Sequence, residues 1–427
     1  MRIKFKKNFI NSVFITSLMA YHPIYANSMP LNSYGAVDVN ANVPVESQIP
    51  IISNNITLPN IQSAAEKWAN KVPRQPQLNV KSYVLMDSRT GNIIAEQNAN
   101  MRIAPASLTK LMLLYIVETQ LANKTISLDS TFNVPTVAWA TGGSRMFLKP
   151  HTTVSVEDLI EGVIVASGND AAVTLAVGIA GTQNAFVDMM NMKAKELGMS
   201  NTHFSDVMGL PAPNLYTSAR DLGILAKHVI NDFPQFYGFY KQKYISHNDV
   251  KQPNWNKLLF IDKYADGLKT GSTSTTGFSL ISSEKRGDNR RLISVIIGAN
   301  DSMSSAYNSL SLLKYGEQFF TTKEIYKSNV EITKPEVYLG EQNSIALGIK
   351  NNIAITYPRS IDENKITISV IPNYPLKAPI VKNTILGQIE IRYNNKTFEK
   401  QPLISLETVH TGSILKQTKD KIKLWFS

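Results

Sequence analysis

The residues best equipped for chemistry stand in three short runs: Ser107-Leu-Thr-Lys110, Ser167-Gly-Asn169 and Lys269-Thr-Gly271. None contains a histidine. A serine hydroxyl is a weak nucleophile until a neighbouring base takes its proton. Ser107 and Lys110 are three residues apart, and positions i and i+3 share one face of a helix. The lysine amine can therefore reach the hydroxyl. A lysine acts as a base only when its pKa falls, through burial or a nearby positive charge. Lys269 is the candidate for that second charge. Pro105 precedes the serine and an apolar run, residues 111–117, follows. That pattern predicts a helix start, with Ser107 near the positive end of the helix dipole.

Ser-x-x-Lys alone says little. It recurs at Ser282/Lys285, Ser311/Lys314 and Ser413/Lys416, where solvated helix or strand residues are the simpler reading. Lys-Thr-Gly and Ser-Gly-Asn each occur once, and the ordered triple carries the specificity. With the residues around it (83–95, 144–150, 165–171 and 266–271), the chain resembles the low-molecular-mass penicillin-binding proteins that are D-alanyl-D-alanine carboxypeptidases, the group of penicillin-binding proteins five and six. The resemblance covers about residues 60–427.

The resemblance implies a role for each residue. Ser107 would be the acylated nucleophile and Lys110 its general base. Ser167 would relay a proton to the leaving D-alanine, and Asn169 would hold the substrate amide. Lys269 and Thr270 would bind the terminal carboxylate. The backbone N–H groups of Ser107 and Ser272 would form an oxyanion hole, whose donors typically contribute ~3–4 kcal/mol each. Gly271 suits a strand that lets the substrate backbone approach closely. Two departures stand out. Relatives often carry Asn-Arg-Asn where this chain has Asn254-Trp255-Asn256, and an arginine that relatives can carry is missing from residues 300–304. Carboxylate recognition then rests on Lys269, Thr270 and Ser272.

The implied activity is removal of the terminal D-alanine from peptidoglycan pentapeptide stems through a Ser107 acyl-enzyme, with β-lactams acylating the same serine. Two other readings remain at this stage. A class A β-lactamase would add a glutamate, often within Glu-x-x-Leu-Asn, and that pentapeptide is not in the sequence. A binding or shape-determining protein with decayed catalysis has the altered Trp255 and 300–304 segments in its favour. Carboxypeptidase and endopeptidase chemistry share these motifs.

Composition narrows the field. The chain has 427 residues, 43% of them hydrophobic, enough for two ordinary domains. Cysteine is absent, which excludes disulfides, a thiol nucleophile and zinc–cysteine sites. The six histidines are scattered without metal-ligand spacing, so neither a metal nor another cofactor is expected. The formal charge is +11, but the lysines are dispersed and no nucleic-acid motif accompanies them. Anionic lipid and wall polymer explain the charge more simply.

Residues 1–26 read as a secretory signal, with Arg2, Lys4, Lys6 and Lys7 before a largely apolar stretch and cleavage after Ala26. A flexible segment, 27–60, follows. The predicted fold class is α+β: a β-lactamase/transpeptidase-like domain over 61–321, built of an antiparallel sheet plus a helical cluster, then a small all-β sandwich over 322–410. The sandwich is read as a spacer or partner platform. The last segment, 411–427, predicts an amphipathic helix. Ile414, Leu415, Thr418, Ile422, Trp425 and Phe426 fall near one face, with Lys416, Lys419, Lys421 and Lys423 around them. Such a helix suits a membrane interface. The expected location is periplasmic, peripheral on the outer face of the inner membrane.

Overall fold

The computed structural model describes residues 63–286 and 290–425, which belong to one compact unit. The signal-like and flexible segments, and Phe426, lie outside the described residues.

Five antiparallel strands form the central sheet: β1 (Ser82–Asp87), β2 (Ile93–Gln97), β3 (Ala265–Thr273), β4 (Gly277–Arg286) and β5 (Arg290–Ala299). Their order is β2-β1-β5-β4-β3, so the strand carrying Lys269-Thr-Gly271 is an edge. Two apolar stretches, 82–87 and 92–95, flank Thr90-Gly91 and predict a hairpin, and the turn there does join β1 to β2. Alternation along β1 divides the interior in two. Val84 and Met86 pack with the helical cluster, whereas Tyr83 and Leu85 pack on the opposite face. Both faces are covered, so every β1 residue is buried, and the strand reads as an almost continuous apolar run.

The helical cluster comprises α1 (Thr109–Ala122), α2 (Val156–Ile164), α3 (Asn169–Ala180), α4 (Gln183–Glu196) and α5 (Ala219–Asp232). Helix α1 is its axis: every residue from Thr109 to Glu118 is buried. A helix apolar on all sides belongs in the middle of a core. Ser155, Thr182 and Ser218 cap α2, α4 and α5 through side-chain oxygens, each satisfying an otherwise orphaned N–H. Helix α6 (Ser302–Phe319) covers the other face of the sheet. Gly316 sits where a Cβ would lie 2.9 Å from Leu85 and Leu292, so helix and sheet meet closely there.

The C-terminal β domain begins with β6 (Phe320–Tyr326), which pairs antiparallel with β7 (Ile353–Pro358). No strand is predicted over 320–326, because its apolar residues do not alternate. Strands β8 (Ile366–Pro372), β9 (Ile385–Tyr393) and β10 (Lys396–Ser405) form the second sheet with the short strand Leu347–Gly348. Tyr393-Asn-Asn-Lys396 is a turn signal in the sequence; Asn394 and Asn395 both have positive φ and close the β9–β10 hairpin. Ile355, Tyr357, Ile389, Ile391 and Leu403 fill the space between the sheets. They share one apolar cluster with Leu280, Leu292, Leu312 and Leu313 of the N-terminal part.

Helix α7 (Ile414–Trp425) closes the described chain. Asp420 is its buried residue. The carboxylate accepts from the Leu339 N–H at 2.7 Å and from Lys416 Nζ at 2.9 Å. Lys423 pairs with Glu336 at 3.1 Å. Ile414 and Leu415 are 81% and 85% exposed. No described helix is long and apolar enough to cross a membrane.

Asp87 links the two parts. It accepts from the Arg89 and Thr90 N–H groups, each at 3.0 Å, and from Thr322 of β6 at 2.5 Å, with Arg290 at 3.7 Å. Replacing it (Asp87→Ala) unpins β6 and the Arg89–Thr90 turn and leaves Arg290 paired with Glu317 at 3.1 Å. A loss of about 2 kcal/mol is expected from the hydrogen bonds left unmade, visible as a lower midpoint in urea unfolding with the slope preserved.

Candidate active site

Ser107 lies not in an α-helix but in a 3-10 turn, Ala106–Leu108, that runs straight into α1. Side chains three apart eclipse one another in a 3-10 turn. This brings Lys110 Nζ to 2.7 Å from Ser107 Oγ. The serine still sits at the positive end of a 14-residue helix.

Lys110 is fully buried. Its amine also donates to the Met208 carbonyl at 3.2 Å. Burial pulls the ammonium pKa down to about 7, against the opposing pull of Asp206 and Asp170. The sequence names Lys269 as a charge that would do this, but at Lys110 burial is the lowering cause and the charges that act there, those of Asp206 and Asp170, oppose it. The repulsion between the two lysines is felt at Lys269, which burial first, and the charge of Lys110 second, hold well below the usual lysine range.

Lys269 Nζ donates to Ser167 Oγ at 2.8 Å and to the Thr270 carbonyl at 3.2 Å. Ser167 has φ +56°, a left-handed conformation that costs a non-glycine residue roughly 1–3 kcal/mol when the surroundings enforce it. Asn169 and Asp170, two and three residues on, hold it there. Asn169 begins α3; its N–H donates to the Ser144 carbonyl at 2.8 Å and its Nδ2 to the Gly142 carbonyl at 2.6 Å. Asp170 accepts from the Met146 and Leu148 N–H groups, each at 3.0 Å. Segment 142–148 is thus pinned along the cleft.

Gly271 lines the cleft and also meets the chain's own backbone. A Cβ there would lie 3.0 Å from the Pro105 carbonyl and 3.1 Å from the Leu108 nitrogen. The close approach is made by the chain's own Ser107 turn, which seats β3 against it. Gly209 does the same from the other side. Its φ is +88°, and a Cβ would come within 1.7 Å of the Ala106 carbonyl oxygen. Asp206 holds that loop by accepting from the Met208 and Gly209 N–H groups, each at 2.6 Å.

A cleft of about 360 Å³ opens over this arrangement, lined by Ser107, Ser167, Asn169, Thr270, Gly271 and Ser272 among others. Lys110 and Lys269 lie beneath it. All eight residues singled out from the sequence therefore meet at one place. Three that were not (Asp170, Asp206 and Gly209) support it. Asp170 adjoins Ser-Gly-Asn, and Gly209 stands in a Gly-Leu-Pro loop; adjacency and glycine were the only signals available. Trp255 lines the cleft, as do Ser302 and Ser305 at the start of α6. Among the described residues no acidic or basic side chain lines it. No described group of His, Cys, Asp or Glu could hold a metal ion. Chemically, the arrangement offers a hydroxyl beside an amine poised to lose its proton, and a second hydroxyl beside a second buried amine. An edge strand with unpaired backbone groups forms one wall.

A family profile described as D-alanyl-D-alanine carboxypeptidase matches residues 69–301. The chain belongs to that family. A second profile, described as penicillin-binding protein 5, C-terminal domain, matches residues 320–411. D-alanyl-D-alanine carboxypeptidase DacC of Escherichia coli is 37% identical over 365 residues, 84% of this chain and 91% of the relative. The crystal structure of penicillin binding protein 5 from Haemophilus influenzae is similar with a TM-score of 0.75 and 36% identity, covering 78% of this chain and 98% of that one. Penicillin binding protein 6B from Escherichia coli gives 0.65 and 37%, with 78% and 97% covered.

Proposed function

We propose that the protein is a serine D-alanyl-D-alanine carboxypeptidase that trims the terminal D-alanine from peptidoglycan pentapeptide stems. The observation that carries this is the 2.7 Å contact between Ser107 Oγ and a buried Lys110 whose pKa stands at about 7, in a chain of this family. Near neutrality a large fraction of Lys110 is the free amine. It takes the Ser107 proton as Oγ attacks the penultimate carbonyl. The oxyanion is held by the Ser107 and Ser272 N–H groups. The C–N bond breaks as the proton taken by Lys110 is returned through the Ser167 hydroxyl to the departing D-alanine nitrogen, which leaves Lys110 a free amine and Ser167 a neutral hydroxyl again. Water then attacks the Ser107 ester, Lys110 takes the water's proton and hands it to Ser107 Oγ as the ester C–O bond breaks, and the shortened stem leaves with Ser107 restored.

Lys269 supports both ends. An arriving substrate carboxylate favours the charged form of Lys269. That charge next to Lys110 disfavours a second ammonium, so substrate binding itself keeps the base neutral. A β-lactam presents the same carboxylate and a reactive carbonyl. Its leaving group stays tethered after acylation, and no carboxylate among the described residues lines the cleft to drive a water onto the ester. This favours a lasting adduct over β-lactamase turnover.

Membrane attachment is part of the same proposal. The exposed Ile414, Leu415 and Ile422 would enter the interface of an anionic bilayer, with the exposed Lys419 and Lys421 at the headgroups. Lys416 and Lys423 are engaged with Asp420 and Glu336, so fewer lysines face lipid than the sequence suggests. With residues 1–26 as an export signal, the enzyme would work in the periplasm, peripheral on the inner membrane.

Mass spectrometry tests the chemistry. The mature protein should remove one alanine from a peptide ending in D-alanyl-D-alanine and carry a lasting penicilloyl group on Ser107. Ser107→Ala should do neither while unfolding at an unchanged midpoint; an adduct surviving on that variant would refute the assignment. The rate of penicilloylation should rise with pH and reach half its plateau near pH 7, because the deprotonated amine is the active form; a flat profile from pH 6 to 8 would exclude Lys110 as the base. In vesicle flotation, the protein should bind anionic membranes, and the triple variant Ile414→Ser, Leu415→Ser, Ile422→Ser should stay in the soluble fraction.

A further inference from the structure

Trp255 is held rigidly at its backbone and exposed at its side chain. It stands between two buried asparagines. Asn254 Nδ2 donates to the Gln242 carbonyl at 2.8 Å, and Asn254 Oδ1 accepts from the Asn256 N–H at 2.9 Å. Asn256 Nδ2 donates to the Gly267 carbonyl of β3 at 2.9 Å, and Asn256 Oδ1 accepts from the Leu258 N–H at 3.0 Å. The backbone is fixed on both sides of the indole, yet 52% of the residue is open to solvent. It opens onto the catalytic cleft.

Trp255 is not alone there. Phe278 lines the same cleft and is 38% exposed; it lies opposite Ser272 in the β3–β4 ladder. Leu210 lines it too and is 49% exposed. The cleft bordered by Thr270 and Ser272 therefore carries three exposed large apolar side chains and, among the described residues, no charged one. A substrate carboxylate needs only Lys269 and the hydroxyls. A residue whose carboxylate sat at Thr270 and Ser272 would share the cleft with Phe278, the cross-strand partner of Ser272, and with Trp255 and Leu210. An alanine methyl would leave most of that surface wet, whereas a larger apolar side chain would cover it.

We propose that the cleft accepts C-terminal D-residues with apolar side chains larger than alanine, and that Trp255 is the residue that sets this preference. The inference rests on the carboxypeptidase reading and adds the class of residue released: D-leucine-like or D-phenylalanine-like groups alongside D-alanine. A hydrophobic pocket distinguishes such groups by about 10–200-fold.

The test compares kcat/KM for two pentapeptides that differ only at the end, D-alanyl-D-leucine against D-alanyl-D-alanine. The full-length enzyme should process the leucine peptide at least as efficiently as the alanine peptide. Trp255→Ala should lower the leucine-to-alanine ratio about tenfold, mainly through KM, and Trp255→Phe should restore most of it. The rate of Ser107 penicilloylation in each variant reports that the nucleophile and base are intact. A ratio unchanged in Trp255→Ala, or a wild-type enzyme that rejects the leucine peptide, overturns the inference and leaves the carboxypeptidase reading standing. Failure of the wild type to cleave either peptide overturns both.

Discussion

Burying Lys110 is the constraint on which the rest of the structure depends. An exposed lysine holds its proton far too tightly to serve as a base at neutral pH. Bringing the value from 10.5 to about 7 costs the folded state on the order of 4 kcal/mol near neutrality, since one unit is worth about 1.4. The sign is definite. The unfolded chain holds this proton up to its ordinary pKa, so Lys110 penalises folding below that range and the penalty fades as pH rises. Something must offset it, and α1 is where the offset lies. Leu108, Leu111, Met112, Leu113, Leu114 and Val117 surround the lysine in sequence and are completely or almost completely buried. Each contributes roughly 1.5–3 kcal/mol by leaving water.

The same constraint explains why glycines and a strained serine cluster at the site. A buried amine needs partners, or it becomes an unsatisfied polar group. Those of Lys110 come from the Ser107 turn and the 206–211 loop, those of Lys269 from β3 and the Ser167 turn. Four segments distant in sequence must therefore converge within hydrogen-bond length. Gly271 and Gly209 permit the backbones to touch. Ser167 takes φ +56° because Asn169 and Asp170 lock the following turn onto segment 142–148. Local strain is accepted where chemistry requires the geometry.

This division also marks what could be read from the sequence. Ser107 and Lys110 were legible because their relation is local: three residues at the start of a helix. Strands β1, β2, β4 and β5 were legible through their apolar runs and the turn at Thr90-Gly91. The grouping of the three motifs followed from resemblance, since nothing local links Ser167 to Lys269 across 102 residues. Asp170 escaped because the N–H groups it holds, those of Met146 and Leu148, are distant in sequence. Asp206 holds N–H groups of its own loop, those of Met208 and Gly209; what escaped there is that this loop packs on the Ser107 turn. Strand β6 escaped because Phe320-Thr-Thr-Lys-Glu-Ile-Tyr326 lacks alternation and owes its conformation to pairing with β7. The 3-10 turn at Ser107 escaped because it lies within the one or two residues by which helix ends are ordinarily uncertain.

Helix α7 reverses the usual logic of a surface helix, which hides its apolar residues and shows its charges. Here the most buried residue is an aspartate, and the neighbouring isoleucine and leucine are among the most exposed apolar side chains described. The reversal has a local cause. The Leu339 N–H and Lys416 hold the Asp420 carboxylate, Lys423 reaches Glu336, and the Gly412 N–H donates to the Leu339 carbonyl. These contacts fix the rotation of the helix about its axis. Only one rotation satisfies Asp420, and in that rotation Ile414, Leu415 and Ile422 project outward. Left in water, such a face costs free energy in proportion to its area. Under the proposed membrane attachment, the interface of an anionic bilayer would cover that face, and its charge would match the exposed Lys419 and Lys421.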